Sequence, residues 1–224
     1  MRGVFITVEG GEGVGKSTNM AYLEQHLRNS GVELTVTREP GGTDLGEGLR
    51  EVLLKPRDEV VDATAELLLM FAARAQHIAE VIEPSLAAGR WVLCDRFTDA
   101  TYAYQSGGRR IEPSKVRQLE TLVQAGLRPD CTLLFDAPVS LGMARARGRG
   151  ELDRFEREEL GFFERVRDSY LQLARENSDR FYVIDASQTL PDVQARLQEV
   201  CLELMARWSA GARGAGAAST GADR

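Results

Sequence analysis

Residues 10–17, Gly10-Gly11-Glu12-Gly13-Val14-Gly15-Lys16-Ser17, form an uninterrupted G-x-x-x-x-G-K-[ST] run. Glycines at these positions let the backbone wrap closely round a phosphate with successive N–H groups pointing inward. The helix that should follow turns its positive dipole end to the same anion. Lys16 can then reach the β- and γ-phosphates of a nucleoside triphosphate, and the Ser17 hydroxyl can ligate Mg²⁺. An apolar run precedes the motif and a helical pattern follows it, the context in which a phosphate-binding loop works.

A loop of this kind serves kinases and nucleotide-driven switches alike, so other groups must decide between them. Asp95, Asp136 and Asp185 each close an apolar run, and any of the three could organise Mg²⁺. Asp95 differs in being followed by Arg96 and Phe97. An arginine at a strand end fits a metal poorly but can grip a second phosphate with two parallel hydrogen bonds. Arginine assistance to phosphoryl transfer contributes roughly 10³–10⁵ in rate, yet the phosphate loop itself carries an acid, Glu12. The segment 145–154 offers Arg145, Arg147, Arg149 and Arg154 against Glu151 and Asp153, with Gly148 and Gly150 as hinges. Such a loop could close over the site and expel water that would compete as acceptor.

These groups need a frame. Short apolar runs alternate with long helical patterns, which predicts an α/β fold: a five-stranded parallel sheet with helices on both faces. The expected strands are Val4 to Glu9, Glu33 to Thr37, Trp91 to Asp95, Thr132 to Asp136 and Phe181 to Asp185. Helical patterns cover Lys16 to Asn29, Leu45 to Leu54, Ala63 to Ala88, Pro113 to Ala125, Leu141 to Arg147, Glu156 to Asn177 and Pro191 to Trp208. In the sixth, Phe163, Val166, Tyr170 and Leu173 share one face and read as core packing. The folded unit is expected to span 1–208, with a mobile Arg-rich lid at about 142–155. The remainder, 209–224, is nearly all Gly, Ala, Ser and Thr; it lacks apolar surface to offset chain entropy and is expected to be disordered.

Composition narrows the classes further. Thirty-four acidic residues against 28 basic give a net charge of −6, which argues against a sequence-independent nucleic-acid binder, whose affinity comes from many phosphate-neutralising contacts. Only three of the basic residues are lysines, Lys16, Lys55 and Lys115. The longest apolar run, Leu67 to Ala73, has seven residues, against the roughly 20 of a membrane-spanning helix. No signal-peptide layout opens the chain. Cys94, Cys131 and Cys201 are odd in number and sit in apolar surroundings. They read as reduced core thiols, which favours a cytoplasmic location and no membrane partner.

Taken in order, the phosphate loop, Thr37-Arg38-Glu39-Pro40-Gly41-Gly42-Thr43, Phe71-Ala-Ala-Arg74, Asp95-Arg96-Phe97, Ala103-Tyr104-Gln105-Ser106-Gly107-Gly108-Arg109 and Arg149-Gly-Glu-Leu-Asp-Arg154 resemble the bacterial thymidylate kinases, members of the P-loop nucleoside monophosphate kinases. The resemblance runs from Val4 to Trp208. It implies that Gly10 to Ser17, supported by Thr18, bind the phosphates of ATP, and that Arg96 holds the phosphate of dTMP with Asp95 placing Mg²⁺ or its water. Glu39 and Arg50 would line the monophosphate side. Arg74 would hydrogen-bond the pyrimidine, Thr101 and Gln105 would read its other edges, and Tyr104 would crowd the sugar 2′ position. Glu12 in the loop matches the branch whose catalytic arginine lies in the lid. Arg149 is the first choice for that role, with Arg147, Arg145 and Arg154 behind it. The base-stacking aromatic expected four residues before Arg74 is here Met70. Either Met70 packs on the base or the helix turns so that Phe71 does. A homodimer is implied by the resemblance alone.

The expected reaction is Mg²⁺-dependent transfer from ATP to dTMP, giving dTDP and ADP for dTTP synthesis. A kinase for another monophosphate, a deoxynucleoside kinase and a P-loop switch or partitioning ATPase are the alternatives. If Arg149 acts on the migrating group, Arg149→Ala will cut turnover by orders of magnitude while dTMP affinity stays within a few-fold. A turnover number equal to that of the native enzyme would remove it from the chemistry.

Overall fold

In this computed structural model residues 2–147 and 153–217 are described, with backbone alone at Arg147 and 209–217. Five strands form one parallel sheet: β1 (Phe5–Gly10), β2 (Leu34–Arg38), β3 (Trp91–Asp95), β4 (Cys131–Asp136) and β5 (Phe181–Asp185), in the order β2-β3-β1-β4-β5. Each agrees with its predicted strand to within a residue at either end. The three inner strands are near-continuous in apolar residues because helices cover both faces, and all of β1 is buried. The edge strands β2 and β5 alternate with solvent. Val4, Ile6 and Val8 point into a core shared with α1 (Lys16–Asn29) and α9 (Leu190–Ala217), whereas Phe5 faces the other layer with Val92 and Cys94.

The order places the carboxyl ends of β1 and β3 side by side, with Val8 paired to Asp95. Ligands of open α/β sheets bind at this edge, where successive connections leave in opposite directions. Around it lie α2 (Asp44–Leu54), capped by Thr43 (Gly46 N to Thr43 Oγ1, 3.0 Å), and α3 (Ala63–His77), capped by Asp62 (Thr64 N to Asp62 Oδ1, 2.9 Å).

Four segments depart from expectation. The single helix predicted over Ala63 to Ala88 is α3, a π-helical turn at Ile78–Ile82, and α4 (Glu83–Ala87). Pro84 stands in the first turn of α4 and has no N–H for the i→i−4 ladder, so the register widens just before it. Residues 98–108, with no helical prediction, form the short helix α5 (Thr98–Thr101) running into a π-helical segment, Tyr102–Gly108. Its glycines permit close approach to α8 (Leu160–Glu176): a Cβ on Gly107 would lie 2.8 Å from Ser169 Cβ, and one on Gly108 2.4 Å from the Phe162 ring. After α6 (Pro113–Gln124), the helix α7 (Val139–Arg147) agrees with the helical pattern over Leu141 to Arg147, so Arg145 and Arg147 lie in regular structure although the expected lid at about 142–155 had included them. Only 148–152 of the expected lid lie outside the described residues. The last helix continues past Trp208 to Ala217, the alanines extending a helix already formed although Gly211, Gly214 and Gly216 weaken it. Residues 218–224 of the expected tail lie outside the described residues. Cys94, Cys131 and Cys201 are free thiols and buried, and among the described residues no helix is long and apolar enough to cross a membrane.

Candidate active site

Gly10, Gly13 and Gly15 all have positive φ (138°, 69° and 87°), a region that side chains disfavour. Two of them also lack room for a Cβ: on Gly13 it would lie 1.8 Å from the Gly142 carbonyl of α7, and on Gly10 2.4 Å from that of Phe135 in β4. The loop is therefore pressed against the sheet edge with Gly11, Glu12 and Val14 between these contacts. Gly15 caps α1 with no side-chain acceptor, which leaves the first-turn N–H groups of Lys16, Ser17 and Thr18 for an anion. Ser17 and Thr18 are exposed. Lys16 is buried and donates to the carbonyls of Gly10 (3.0 Å) and Gly11 (2.8 Å). Burial, with Arg96 adding repulsion, lowers its pKa to about 8.

Across the loop stands Arg96, in the left-handed region at φ 67°. Its Nη1 donates to Gly10 O (3.0 Å) and Tyr170 Oη (3.3 Å), its Nη2 to Glu12 Oε1 (2.6 Å), and the guanidinium lies 4.7 Å from the Tyr104 ring centroid. The Tyr104 hydroxyl donates to the same Glu12 oxygen at 2.7 Å. Of the three strand-end aspartates, Asp136 is gripped by Arg167 through two bonds (2.7 and 2.9 Å) and Asp185 accepts from Ser187 and Gln188. Asp95 alone of the three has a buried oxygen, Oδ1, with no partner.

The far wall comes from α3 and the 98–108 segment. Arg74 is buried over the rings of Phe71 (4.7 Å) and Phe97 (5.0 Å). Its Nε donates to Glu39 Oε2 (2.7 Å) and its Nη2 to Thr101 Oγ1 (2.9 Å), leaving Nη1 buried without a partner. The other Glu39 oxygen meets His77 Nδ1 at 2.9 Å, so Glu39 aims Arg74 with a carboxylate that is fully engaged. Arg50 donates to Pro40 O at 3.0 Å. Gln105 is buried and donates from Nε2 to Glu66 Oε1 at 2.8 Å. Phe71, one of the two side chains left open for packing on the base, packs with Leu67 and Val116 beneath Arg74. Met70 lines the cleft, because one residue turns a helix by about 100°.

The arginines of 145–154 separate. Arg145 donates to Ala186 O beyond β5 at 3.0 Å. Arg154 is anchored to Leu53 O (2.8 Å) and Glu66 (2.6 Å), so it roots the segment and is not a free cation. The Arg147 side chain and Arg149 lie outside the described residues. One cleft connects Gly13, Lys16, Asp95, Arg96, Arg74 and Gln105. Its lining joins the loop residues Gly13 to Ser17, the Arg96 guanidinium, and the polar side chains of Arg74, Thr101 and Gln105.

The family model for thymidylate kinase matches residues 8–197. The chain belongs to the thymidylate kinase family. A thymidylate kinase of Pseudomonas syringae pv. syringae (strain B728a) is 58% identical over 205 residues, covering 92% of this chain and 98% of that protein. One of Ectopseudomonas mendocina (strain ymp) has the same identity over the same coverage. The crystal structure of thymidylate kinase from Ehrlichia chaffeensis superposes with a TM-score of 0.71 at 33% identity, over 90% of this chain and 99% of that one.

Three site residues of this family member escaped the sequence. Tyr170 sits in the apolar stripe of α8, yet its hydroxyl donates to Glu9 Oε2 at 2.8 Å. Glu66 looked like an ordinary first-turn acid. Glu9 looked like the end of β1, but it is wholly buried and its Oε1 accepts from Phe97 N at 2.7 Å. The nearby acids and the unbroken apolar run before Glu9 were the only signals available. Burial, then the charge of Asp99, raises the Glu9 pKa from 4.5 to about 8, against the pull of Arg96. Between these values the folded chain keeps a proton that the unfolded chain releases, so stability falls as pH rises through the window. Glu9→Gln removes that titration. The stability of native protein relative to this variant, from urea unfolding, is expected to drop between about pH 5 and pH 8; a difference that is flat or rises with pH contradicts the assignment.

Proposed function

We propose that this cleft transfers the γ-phosphoryl group of MgATP to the 5′-phosphate of dTMP, giving dTDP and ADP. The observation that carries the proposal is the placing of Arg96, a second phosphate grip, within hydrogen-bond reach of the Gly10 carbonyl in the phosphate loop. A switch or partitioning ATPase has no use for a second anion site there. A deoxynucleoside kinase would present a hydroxyl where Arg96 offers a guanidinium.

The loop N–H groups and Lys16 hold the β- and γ-phosphates, with Thr18 in the same helical turn. Arg96 draws the acceptor phosphate into line, and Arg50 adds positive charge on that side. An acceptor oxygen forms a bond to the γ-phosphorus while the bond to the β–γ bridging oxygen breaks and ADP leaves. No enzyme group is covalently modified; alignment and charge supply the catalysis. Arg145, which donates to Ala186 O, is assigned to the ATP side, and Arg149 with Arg147 to the migrating group. Thr101, Gln105 and Arg74 read the pyrimidine with Met70 against its face, and Tyr104 excludes a 2′-hydroxyl.

Mg²⁺ fits this donor set. Asp95 offers a buried oxygen without a partner, and Ser17 an exposed hydroxyl in the first turn of α1. Among the described residues no three His, Cys, Asp or Glu side chains form a metal cage. Mg²⁺ keeps several waters and takes few protein ligands beside phosphate oxygens. When bound, it would neutralise charge developing on the β- and γ-phosphates.

ADP release with ATP and a panel of monophosphates tests the function. Turnover should require Mg²⁺ and dTMP, with dUMP a slow substrate, since one methyl group is worth only about 1–3 kcal/mol of discrimination. ATP turnover indifferent to dTMP would sink the kinase assignment; wide preference for another monophosphate would change only the acceptor. Arg96→Ala should lower kcat/KM for dTMP about 10²-fold or more, the scale of losing a charge-assisted pair. The family resemblance also implies a cytoplasmic homodimer. Leu45 and Val52 on α2 and Leu68 on α3 are exposed apolar side chains on adjoining helices, surface that a second copy would cover. Sedimentation velocity should give twice the chain mass, and a monomer at micromolar concentration rules the dimer out.

A further inference from the structure

Glu66 touches none of the groups assigned to phosphate, yet its side chain is wholly buried beside the far wall of the cleft. Its Oε1 accepts from Gln105 Nε2 (2.8 Å) and Arg109 Nε (3.3 Å), and its Oε2 from Arg154 Nη2 (2.6 Å) and Arg109 Nη2 (3.3 Å). All these partners are donors, as a carboxylate requires.

We propose that Glu66 is the specificity-determining positioning residue of the acceptor site: by holding the Gln105 amide nitrogen it presents the Gln105 carbonyl, and only the carbonyl, to the pyrimidine. A primary amide is nearly isosteric about its last torsion, so its neighbours alone decide which end faces which way. Here one neighbour can only accept. The NH₂ end turns to Glu66, and the oxygen is left for the cleft that Gln105 lines.

The second group on that wall has opposite polarity. Arg74 gives Nε to Glu39 and Nη2 to Thr101, and its buried Nη1 has no partner. The base therefore meets one donor, Arg74 Nη1, and one acceptor, Gln105 Oε1. A 4-oxo pyrimidine with a proton on N3 offers the complementary acceptor and donor. A 4-amino pyrimidine offers a donor and an unprotonated N3, and meets both groups with the wrong polarity. Unpaired buried polar groups make such a mismatch far more costly than a missing methyl. Discrimination against cytosine is thus set by a residue one layer behind the one that touches the base.

Glu66 also gathers two arginines, one of them rooting the segment after residue 152, so its removal could simply loosen the site. That alternative lowers the use of every acceptor by one common factor. The inference rests on the dTMP kinase assignment and is separable from it, since native turnover of dTMP is measured first; without that turnover the assignment itself fails. The test is the ratio of kcat/KM for dTMP to kcat/KM for dCMP in the native enzyme, Glu66→Gln and Glu66→Asp. Glutamine at this position can donate to Gln105 and lets its amide reverse, so the ratio should fall about tenfold or more. Glu66→Asp keeps an acceptor-only partner and should hold the ratio within about threefold even if both rates drop. An equal loss for both substrates in Glu66→Gln overturns the proposal. Should that variant not fold by circular dichroism, the native enzyme decides with the 3-deaza analogue of dTMP, which carries C–H in place of N3–H. About tenfold or greater loss of kcat/KM is expected, and equal use of analogue and dTMP overturns the proposal.

Discussion

Arg96 must stay charged, rigid and accessible although only 17% of its side chain is exposed, and much of the structure serves that requirement. A non-glycine residue in the left-handed region costs roughly 1–2 kcal/mol, so neighbouring bonds have to hold it there. The amide on one side of the turn is secured to the sheet by Arg96 N to Val8 O at 2.9 Å, and the next amide by Phe97 N to Glu9 at 2.7 Å. The side chain is fixed separately by Gly10 O, Glu12 and Tyr170, with the Tyr104 ring beneath it. Glu9 acts on both ends, directly on the backbone and through the Tyr170 hydroxyl on the guanidinium. Strand β1, strand β3, helix α8 and the 98–108 segment converge on one cation. The parallel order that puts β1 beside β3 makes the convergence geometrically available.

Seen from this point, the acidic balance of the chain acquires a physical role. Glu9, Glu12, Glu39 and Glu66 each orient a cation or an amide that faces the cleft: Glu9 and Glu12 serve Arg96, Glu39 serves Arg74, and Glu66 serves Gln105. A buried arginine without such a partner would carry a desolvation penalty of several kcal/mol. Burial, with Asp99 adding repulsion, pushes the Glu9 carboxyl up to about 8 even though Phe97 N and Tyr170 Oη donate to it. Pairing lets the protein keep forked cations at low exposure and in one geometry. A net charge of −6 is therefore compatible with a site for two polyanions, since the sign that matters is the local one.

Local chemistry was legible in the sequence, and chemistry assembled across the sheet was not. The phosphate loop could be read because all of its groups are adjacent in the chain and its strand and helix flank it. The strands could be read because burial on both faces leaves apolar runs. By contrast, the bond from Tyr170 to Glu9 joins residues 161 positions apart, and an apolar stripe gives no hint of where its hydroxyl points. The choice among Asp95, Asp136 and Asp185 needed Arg167, which lies on α8 and neutralises one of them. Met70 and Phe71 differ by one step of helix rotation, which periodicity over a uniformly apolar stretch cannot phase. The 98–108 segment escaped because a widened helix with two glycines at its end carries no 3.6-residue pattern. Its glycines record contact with α8, and that contact is tertiary.

That same segment couples the two ends of the acceptor site. Tyr104 supports the Arg96 guanidinium and binds Glu12, both on the phosphate side. Its neighbour Gln105 is held by Glu66 on the base side. On the proposed assignments, adjacent residues of one turn therefore set where the acceptor phosphate ends and where the pyrimidine edge begins. Glycines pin the turn against α8, whose Tyr170 completes the Arg96 shell. A shift of the turn could not improve one end without disturbing the other. On the proposed assignments, the length of a nucleoside monophosphate is measured by packing, and the identity of its base by the polarity of a single amide.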